Sequence, residues 1–365
     1  MKDFINTQKE IFFGNRFFKA ESLPVDYRIG EARKQLSPYF LQHGFKVSMM
    51  YDEYYSQMNG MSSDRYVSMD LYYFYILPCL NRREFSRAYA DKTIYNELFR
   101  GVPQPTPIVK NRNGHFFDVE GTPIDRTDAF RLVASYGKEA IIKPTIETGE
   151  GKNVGLLDCA DDRAVAKAFT DYKGDFIVQE RMKQHEDIAR LNPKCLNTMR
   201  ILTYRRLDGK VIHMKDRTFL RIGGAGSWWD NMTGGSRVCR VFDDGRYGDR
   251  LGRYKNMTTI SFQEKYGNVR VPNMPDAIDF AKKLHERLPF FDYVGWDITI
   301  GVDGRPFFIE YNLSPEVGAS QLEGGLVLVD ALDEIMDRIK CVKRTRKTFD
   351  INEFRAGFDY PLQIA

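Results

Sequence analysis

Cysteine is scarce in this chain and nowhere paired: the five thiols, Cys79, Cys159, Cys195, Cys239 and Cys341, are widely spaced with no Cys-x-x-Cys among them. That argues against a disulfide framework and against a cysteine zinc site. Thiols left free in a chain without a signal peptide predict a reducing, cytoplasmic setting. Long apolar runs are lacking too. The most apolar stretch, Met69 to Leu80, falls short of the ~20 residues that span a bilayer and contains Pro78, so it reads as a buried or capping helix. Excess charge is also lacking: 54 basic against 50 acidic residues leave +4, no basis for nucleic-acid binding. The five histidines form neither an HExxH pair nor a triad signature, which disfavours zinc hydrolysis. A Walker A loop is missing as well. Near Gly149-Glu150-Gly151-Lys152 the required glycine is Ile146, and the Ser or Thr after the lysine is Asn153.

What is present is enough chain, 365 residues, for two or three domains at about 150 residues each. The first 90 residues read as mostly helical. From Asp91 the pattern changes to a helix over 91–99, ended by Gly101 and Pro103, Pro105 and Pro107. Short elements follow: a helix over 128–136, a strand over 140–144, a helix over 161–172 and a strand over 175–179. Then come strands over 198–206 and 211–222, a helix over 276–287 and a hairpin over 296–312. This mixture is α+β, not a regular βαβ repeat. The domains are expected at 1–90, 91–178, 179–335 and a basic tail at 336–365. The basic run Lys340, Lys343, Arg344, Arg346 and Lys347 reads as a solvated helix end, with peripheral membrane contact as the alternative.

The hairpin carries the strongest chemical signal. Two β-branched or aromatic runs flank Asp303-Gly304, the dipeptide of tight two-residue turns. If Val302 faces Arg305, Asp297 lies across from Glu310, and Asn312 shares that face because strand side chains alternate. Two opposed carboxylates repel. A divalent cation relieves the conflict, and Asp297, Glu310 and the Asn312 carbonyl form an all-oxygen set suited to magnesium held against phosphates.

Cations and glycines supply the rest. Lys143 ends the apolar strand Ile-Ile-Lys143-Pro144, where its stem can pack while its ammonium reaches a ligand. Gly149, Gly151 and Lys152 would let backbone N–H groups approach phosphate oxygens. After Gln179 and Glu180 a strand gives way to polar chain, where backbone could read an adenine edge. Lys215, Arg217 and Arg221 alternate on one expected strand, with Arg200 on another, suited to charge on a transferred phosphoryl group. Asp230 and Asn231 sit in a Gly-rich loop of the kind that binds substrates.

Taken in order, Asp91-Lys92, Ile-Lys143-Pro144, the Gly-rich loop, Gln179-Glu180, Asp297 and Glu310-Tyr-Asn312 resemble the ATP-grasp superfamily. Asn197-Thr-Met-Arg200, Leu220-Arg221-Ile-Gly, Asp230-Asn231 with Gly234-Gly235, and Asn312-Leu-Ser-Pro resemble its sugar-transfer-associated branch, over about residues 70 to 325. The resemblance implies two α+β lobes clasping ATP, preceded here by a helical region in place of a clear α/β substrate domain. It implies Lys92 and Lys143 on the phosphates and adenine side, a lid at 149–152, Glu180 and Met182 framing the adenine, and His185 or Glu186 at the ribose. It also implies Mg2+ on Asp297, Glu310 and Asn312, with Arg200, Arg221 and Lys215 steadying the γ-phosphate. The implied activity is an ATP- and Mg2+-dependent carboxylate–amine or thiol ligase acting through an acyl phosphate, in polysaccharide or sugar-conjugate synthesis. The alternative is a kinase that passes the phosphate to a hydroxyl.

Overall fold

The computed structural model describes residues 32, 34–146, 154–224, 236–252 and 259–345. Fourteen strands form two antiparallel sheets among these residues. The first holds β1 (Pro107–Arg112), β2 (His115–Phe117), β3 (Pro123–Ile124), β4 (Glu139–Pro144), β5 (Gly155–Asp158) and β6 (Phe176–Glu180) in the order β3-β2-β1-β6-β4-β5. One face, with Val109, Ala140, Ile142, Leu157, Phe176 and Val178, packs under the helices Arg126–Tyr136 and Asp162–Asp171. Asp125 and Asp161 cap these helices through their side chains, satisfying N–H groups that the first turn leaves orphaned. The other face turns Ile141, Lys143, Ile177 and Lys110 toward the second sheet, because Lys143 and Lys110 both pair with Ile177.

The second sheet contains β7 (Thr198–Arg205), β8 (Val211–His213), β9 (Thr218–Ile222), β10 (Arg237–Val241), β11 (Tyr247–Gly252), β12 (Thr259–Ser261), β13 (Tyr293–Ile300) and β14 (Pro306–Asn312). Its order is β12-β11-β10-β9-β7-β13-β14, with β8 paired to β7. Central β13 is buried along its whole length. Val294, Trp296, Ile298 and Ile300 join Met199, Ile201, Leu220 and the helix Met274–His285 in one core. The alternate residues lie on the opposite face. There Leu202, Tyr204 and Tyr293 are covered by N-terminal helices that include Pro38–Gln42 and Met50–Asn59, and by the helices Val317–Gly324 and Leu332–Thr345. The helical expectation for the N-terminal region therefore agrees with its described part, and this region shares a core with the second sheet.

The expected apolar helix runs from Met69–Leu71 through a π-helical segment, Tyr72–Ile76, into Leu77–Leu80. Asn81 pins its end to the sheet: its Nδ2 donates to Tyr293 O at 2.7 Å and Leu313 O at 2.6 Å, and its Oδ1 accepts from Asp292 N and Tyr293 N. Tyr72 Oη donates to Pro315 O at 2.5 Å, and Gln321 brackets both backbone groups of Val67. No described helix is long and apolar enough to cross a membrane. The basic run begins on the helix Leu332–Thr345; Arg346 and Lys347 lie outside the described residues.

Three expectations change in detail. The helix over 91–99 divides into a 3₁₀ turn, Lys92–Ile94, capped by Asp91, and the helix Tyr95–Leu98. The single strand over 211–222 is interrupted: β8 and β9 run in line along the same edge of β7, and the residues between them bulge out of its ladder. Asp216 adopts φ 52°, a left-handed conformation that Asp tolerates, and it exchanges backbone-to-carboxylate bonds with Asp243. The 296–312 hairpin closes through three residues, Val302, Asp303 and Gly304, not two: Gly301 N donates to Arg305 O, and Gly304 at φ 77° makes the left-handed exit. A bulge then puts Ile309 extra between the pairs Ile298–Phe308 and Asp297–Glu310. The two one-residue shifts cancel, so Asp297 does face Glu310. The bulge also explains why Phe308 and Tyr311, three apart, share the core face.

A buried polar chain ties the core of the second sheet. Trp296 Nε1 donates to Thr203 Oγ1 at 2.7 Å, Thr203 Oγ1 meets His285 Nδ1 at 2.6 Å, and His285 Nε2 meets Phe291 O at 2.8 Å. Burial holds His285 down to about 3, against a modest rise from the Phe291 carbonyl. The unfolded chain therefore binds a proton that the fold refuses below about pH 6.5, and stability falls as pH falls through that window. From pH 6.5 to 5 this histidine alone is expected to cost about 2 kcal/mol. Urea unfolding of wild type and His285→Gln at both pH values reads the difference; parallel losses in the two proteins refute it.

Candidate active site

The cleft floor is the upper half of the sheet face whose lower half the N-terminal helices cover. Strand pairing puts Thr198 beside Arg221, Arg200 beside Asp297, Asp297 beside Glu310, and Gly295 beside Asn312, so four neighbouring strands present these groups on one side. Asp297 is fully buried, and both its oxygens are engaged. Oδ1 accepts from Arg200 Nε, while Oδ2 accepts from Arg200 Nη2 at 3.0 Å and Arg221 Nη2 at 2.6 Å. Arg221 is steadied further by Thr198 Oγ1 at 2.7 Å. Burial alone would raise the Asp297 carboxyl; the charges of Arg200 and Arg221 outweigh it and hold the group at about 2.

Lys143 comes from the first sheet. The segment 91–99 brings it over: Tyr95 and Phe99 pack on Trp296, Phe308 and Tyr311 of the second sheet. From the same segment Lys92 N donates to Thr145 O at 3.0 Å, and Arg112 of β1 donates to Thr93 Oγ1 and O. Lys143 thereby lies within electrostatic reach of both Glu310 and Lys92. Burial lowers its ammonium, Glu310 partly offsets this and Lys92 adds to it, giving about 8. A second lysine on the same face, Lys110, is spoken for by Glu97 at 2.9 Å.

The connection after β6 holds the remaining expected contacts. Gln179 is buried between Pro107 and Ile141. Glu180 is clasped to Thr106: its carboxylate accepts from Thr106 N and Oγ1, and its N–H donates to Thr106 O. Met182 is half-buried. His185 donates its N–H to Ile300 O, and its Nδ1 accepts from Asp187 N to cap the helix Glu186–Ala189, so that nitrogen is committed locally. Lys215 is a correction. It sits exposed in the β8–β9 turn, at the opposite end of β9 from Arg221, and is not brought to the cleft. Gly149, Gly151, Lys152, Asp230 and Asn231 lie outside the described residues.

The donor set fits a divalent cation only in part on its own. Among the described residues no three His, Cys, Asp or Glu side chains cluster to hold a metal. Asn312 Nδ2 is buried there without a hydrogen-bond partner. The unpartnered amide atom is a nitrogen, a donor that suits a phosphate oxygen and not a cation, while the Glu310 carboxylate and the Asn312 amide oxygen suit a cation that arrives with phosphate and water ligands. That is how magnesium is usually held.

Gly295 escapes a reading based on charge and motif. A Cβ there would lie 2.9 Å from Pro315 Cβ and 3.0 Å from Arg200 Cδ, so glycine lets the Arg200 stem lie across the floor. A glycine inside a strand pattern, directly before Trp296-Asp297, was the available signal of close approach.

Comparison with known proteins follows the same lines. The family model described as sugar-transfer associated ATP-grasp matches residues 74–337. No curated protein matches the chain. Among solved structures, the D-cycloserine synthetase DcsG is similar at 16% identity over 68% of this chain and 71% of its own, with a TM-score of 0.42. D-alanine–D-alanine ligase from Bacillus anthracis is similar at 13% over 70% and 69%, TM-score 0.39. The ATP-grasp ligase PsnB complexed with minimal precursor, Mg and ADP is similar at 14% over 69% and 60%, TM-score 0.35.

Gly295→Ala is expected to destabilise the protein by about 1–3 kcal/mol through overpacking. Gly174→Ala, with open space around it, should leave the melting temperature in place. Equal melting temperatures for the two variants would disprove the close approach.

Proposed function

We propose, for a chain that belongs to the sugar-transfer associated ATP-grasp family, an ATP- and Mg2+-dependent ligase that joins a carboxylate to an amine or thiol through an acyl phosphate. The observation that carries this reading is the gathering of Arg200 and Arg221 on Asp297, with Glu310 paired beside it and Lys143 of the other sheet within electrostatic reach of Glu310. In the proposed role, Lys143 and Lys92 hold the triphosphate, and backbone of the 180–185 connection receives the base, with Met182 against it. The 149–152 loop covers the phosphates, and Asp230 and Asn231 meet the acceptor.

Glu310 and Asn312, with Asp297, would hold Mg2+, which supplies positive charge to the phosphate oxygens when bound. Asp297 has a further duty: it sets two guanidinium groups side by side with fixed forks, the donor geometry that suits a phosphoryl group gaining equatorial charge. A carboxylate acceptor is a poor electrophile until phosphorylated, and the cleft offers cations for that step without needing a protein nucleophile. The sugar-linked context, polysaccharide or sugar-conjugate synthesis, rests on the family alone.

ADP release with Mg2+, screened against pools of carboxylates with and without hydroxylamine, tests the proposal. Acceptor-dependent ADP with trapped hydroxamate supports the ligase. Acceptor-dependent ADP without hydroxamate favours phosphoryl transfer to a hydroxyl. Glu310→Gln is expected to weaken Mg-ATP use while leaving the fold intact, and wild-type turnover in that variant would count against the metal assignment. Lys143 offers a second check. At pH 8 it is about half protonated when free, and an arriving triphosphate raises its pKa, so binding should take up a fraction of a proton. Calorimetry in buffers of different ionisation enthalpy reads that uptake; if Lys143→Met takes up as much, the lysine is not on the phosphates.

A further inference from the structure

Three buried amides outside the charged floor, Gln184, Asn192 and Asn197, bond to one another and to backbone, and several of these bonds join the connection after β6 to the starts and ends of β7 and β9. Gln184 lies in the connection that follows β6 and bridges to Gly301. Its Oε1 accepts from Asn197 N at 2.8 Å and from Asn197 Nδ2 at 3.3 Å; its Nε2 donates to Cys195 O at 2.6 Å and Asn192 O at 3.3 Å. Asn197 Nδ2 also reaches Ile188 O and Asn192 O, and its Oδ1 accepts from Gly223 N at 3.3 Å. Asn192 Nδ2 donates to Gly223 O at 3.0 Å and Gly224 O at 3.1 Å, while its Oδ1 accepts from Lys194 N. All three side chains are less than a tenth exposed, Asn197 not at all.

Burying three amides is costly unless their donors and acceptors are met, and here partners come from the connection after β6, from the start of β7 and from the chain that leaves β9. The positions they fix are telling. Asn197 directly precedes Thr198 and stands three residues before Arg200. Gly223 stands two residues after Arg221. The far side of the hub is the connection that holds Met182 and His185. We infer that Gln184, Asn192 and Asn197 are positioning residues that set the distance between the base-binding connection and the two arginines, so that base and phosphates of one nucleotide are gripped together. The inference rests on the reading of this cleft as an ATP site.

A ligand whose two ends fit two rigidly spaced subsites binds far more tightly than either end alone, because the second contact is made at high effective concentration. Loosening the spacing removes that bonus and leaves each subsite intact. Asn192→Ala deletes both bonds to the 223–224 backbone; Asn192→Asp keeps the shape and turns an oxygen on the same two carbonyls. Calorimetric or NMR titration of each full-length variant with Mg-ATP, Mg-tripolyphosphate and adenosine separates the cases. The expected result is an Mg-ATP dissociation constant about tenfold higher, with the two fragments within about twofold of wild type. Should one variant fail to fold, the other carries the test. Weakening of all three probes together, with a lowered melting temperature, would mean local collapse and overturn the positioning role. An unchanged Mg-ATP constant would also overturn it while leaving the ATP reading standing. Wild type that binds neither Mg-ATP nor Mg-tripolyphosphate overturns the ATP reading and the inference with it.

Discussion

A carboxylate placed where water cannot reach it must be compensated, and Asp297 is compensated twice. It sits on a strand with both faces covered, and the guanidinium groups of Arg200 and Arg221 converge on it from two neighbouring strands. Removing one partner of such a group leaves charge stranded in a low-dielectric interior, which is why buried pairs are costly to break even when they add little net stability. The arrangement fixes three charged side chains at once. Much else in the fold makes room for it: Gly295 gives way to the Arg200 stem, Thr198 takes the second arginine, and the bulge in β14 keeps Glu310 on the same side.

The helical N-terminal region belongs to the same economy of surface. One face of the second sheet has to serve as polar floor at one end and as core at the other. Leu202, Tyr204 and Tyr293 continue the face of Arg200 and Asp297, and the helices from Pro38 onward, with those after Val317, keep them dry. Asn81, Tyr72 and Gln321 anchor this cover to backbone at 292–293, 313, 315 and 67, close to the chain that leaves β14 after Asn312. The N-terminal helices are therefore built into the wall beside the candidate site, not appended to it. The π-helical turn at Tyr72–Ile76 lies in the same contact, where a regular helix would present different side chains.

Polar bonding takes two distinct forms around the cleft. On the floor it is charged and, among the described residues, leaves the Asn312 amide nitrogen without a hydrogen bond. Behind the floor it is neutral and complete, as in the Gln184, Asn192 and Asn197 amides, which hold backbone in place. In the proposed reading the first form would meet the ligand, and the second would hold the frame around it.

Sequence pattern by itself determined the α+β class, most of the elements, and the alternation that sets Asp297, Glu310 and Asn312 on one side of a hairpin. These depend on local periodicity and turn chemistry, which neighbouring residues carry. The family resemblance, too, rested on ordered motifs that the chain displays directly. Tertiary structure decided what local pattern cannot hold. Lys215 and Arg221 looked equivalent until an interruption at the left-handed Asp216 split one strand in two and left Lys215 exposed between the halves. Asp297 looked like a free ligand until two arginines, 76 and 97 residues away in sequence, arrived on it. The two-residue turn was read one residue too short, and a bulge farther along restored the pairing, a cancellation that only the paired strands reveal. Side-chain partners at that separation are chosen by packing and by the need to satisfy buried polar groups, and those constraints act through space, not along the chain.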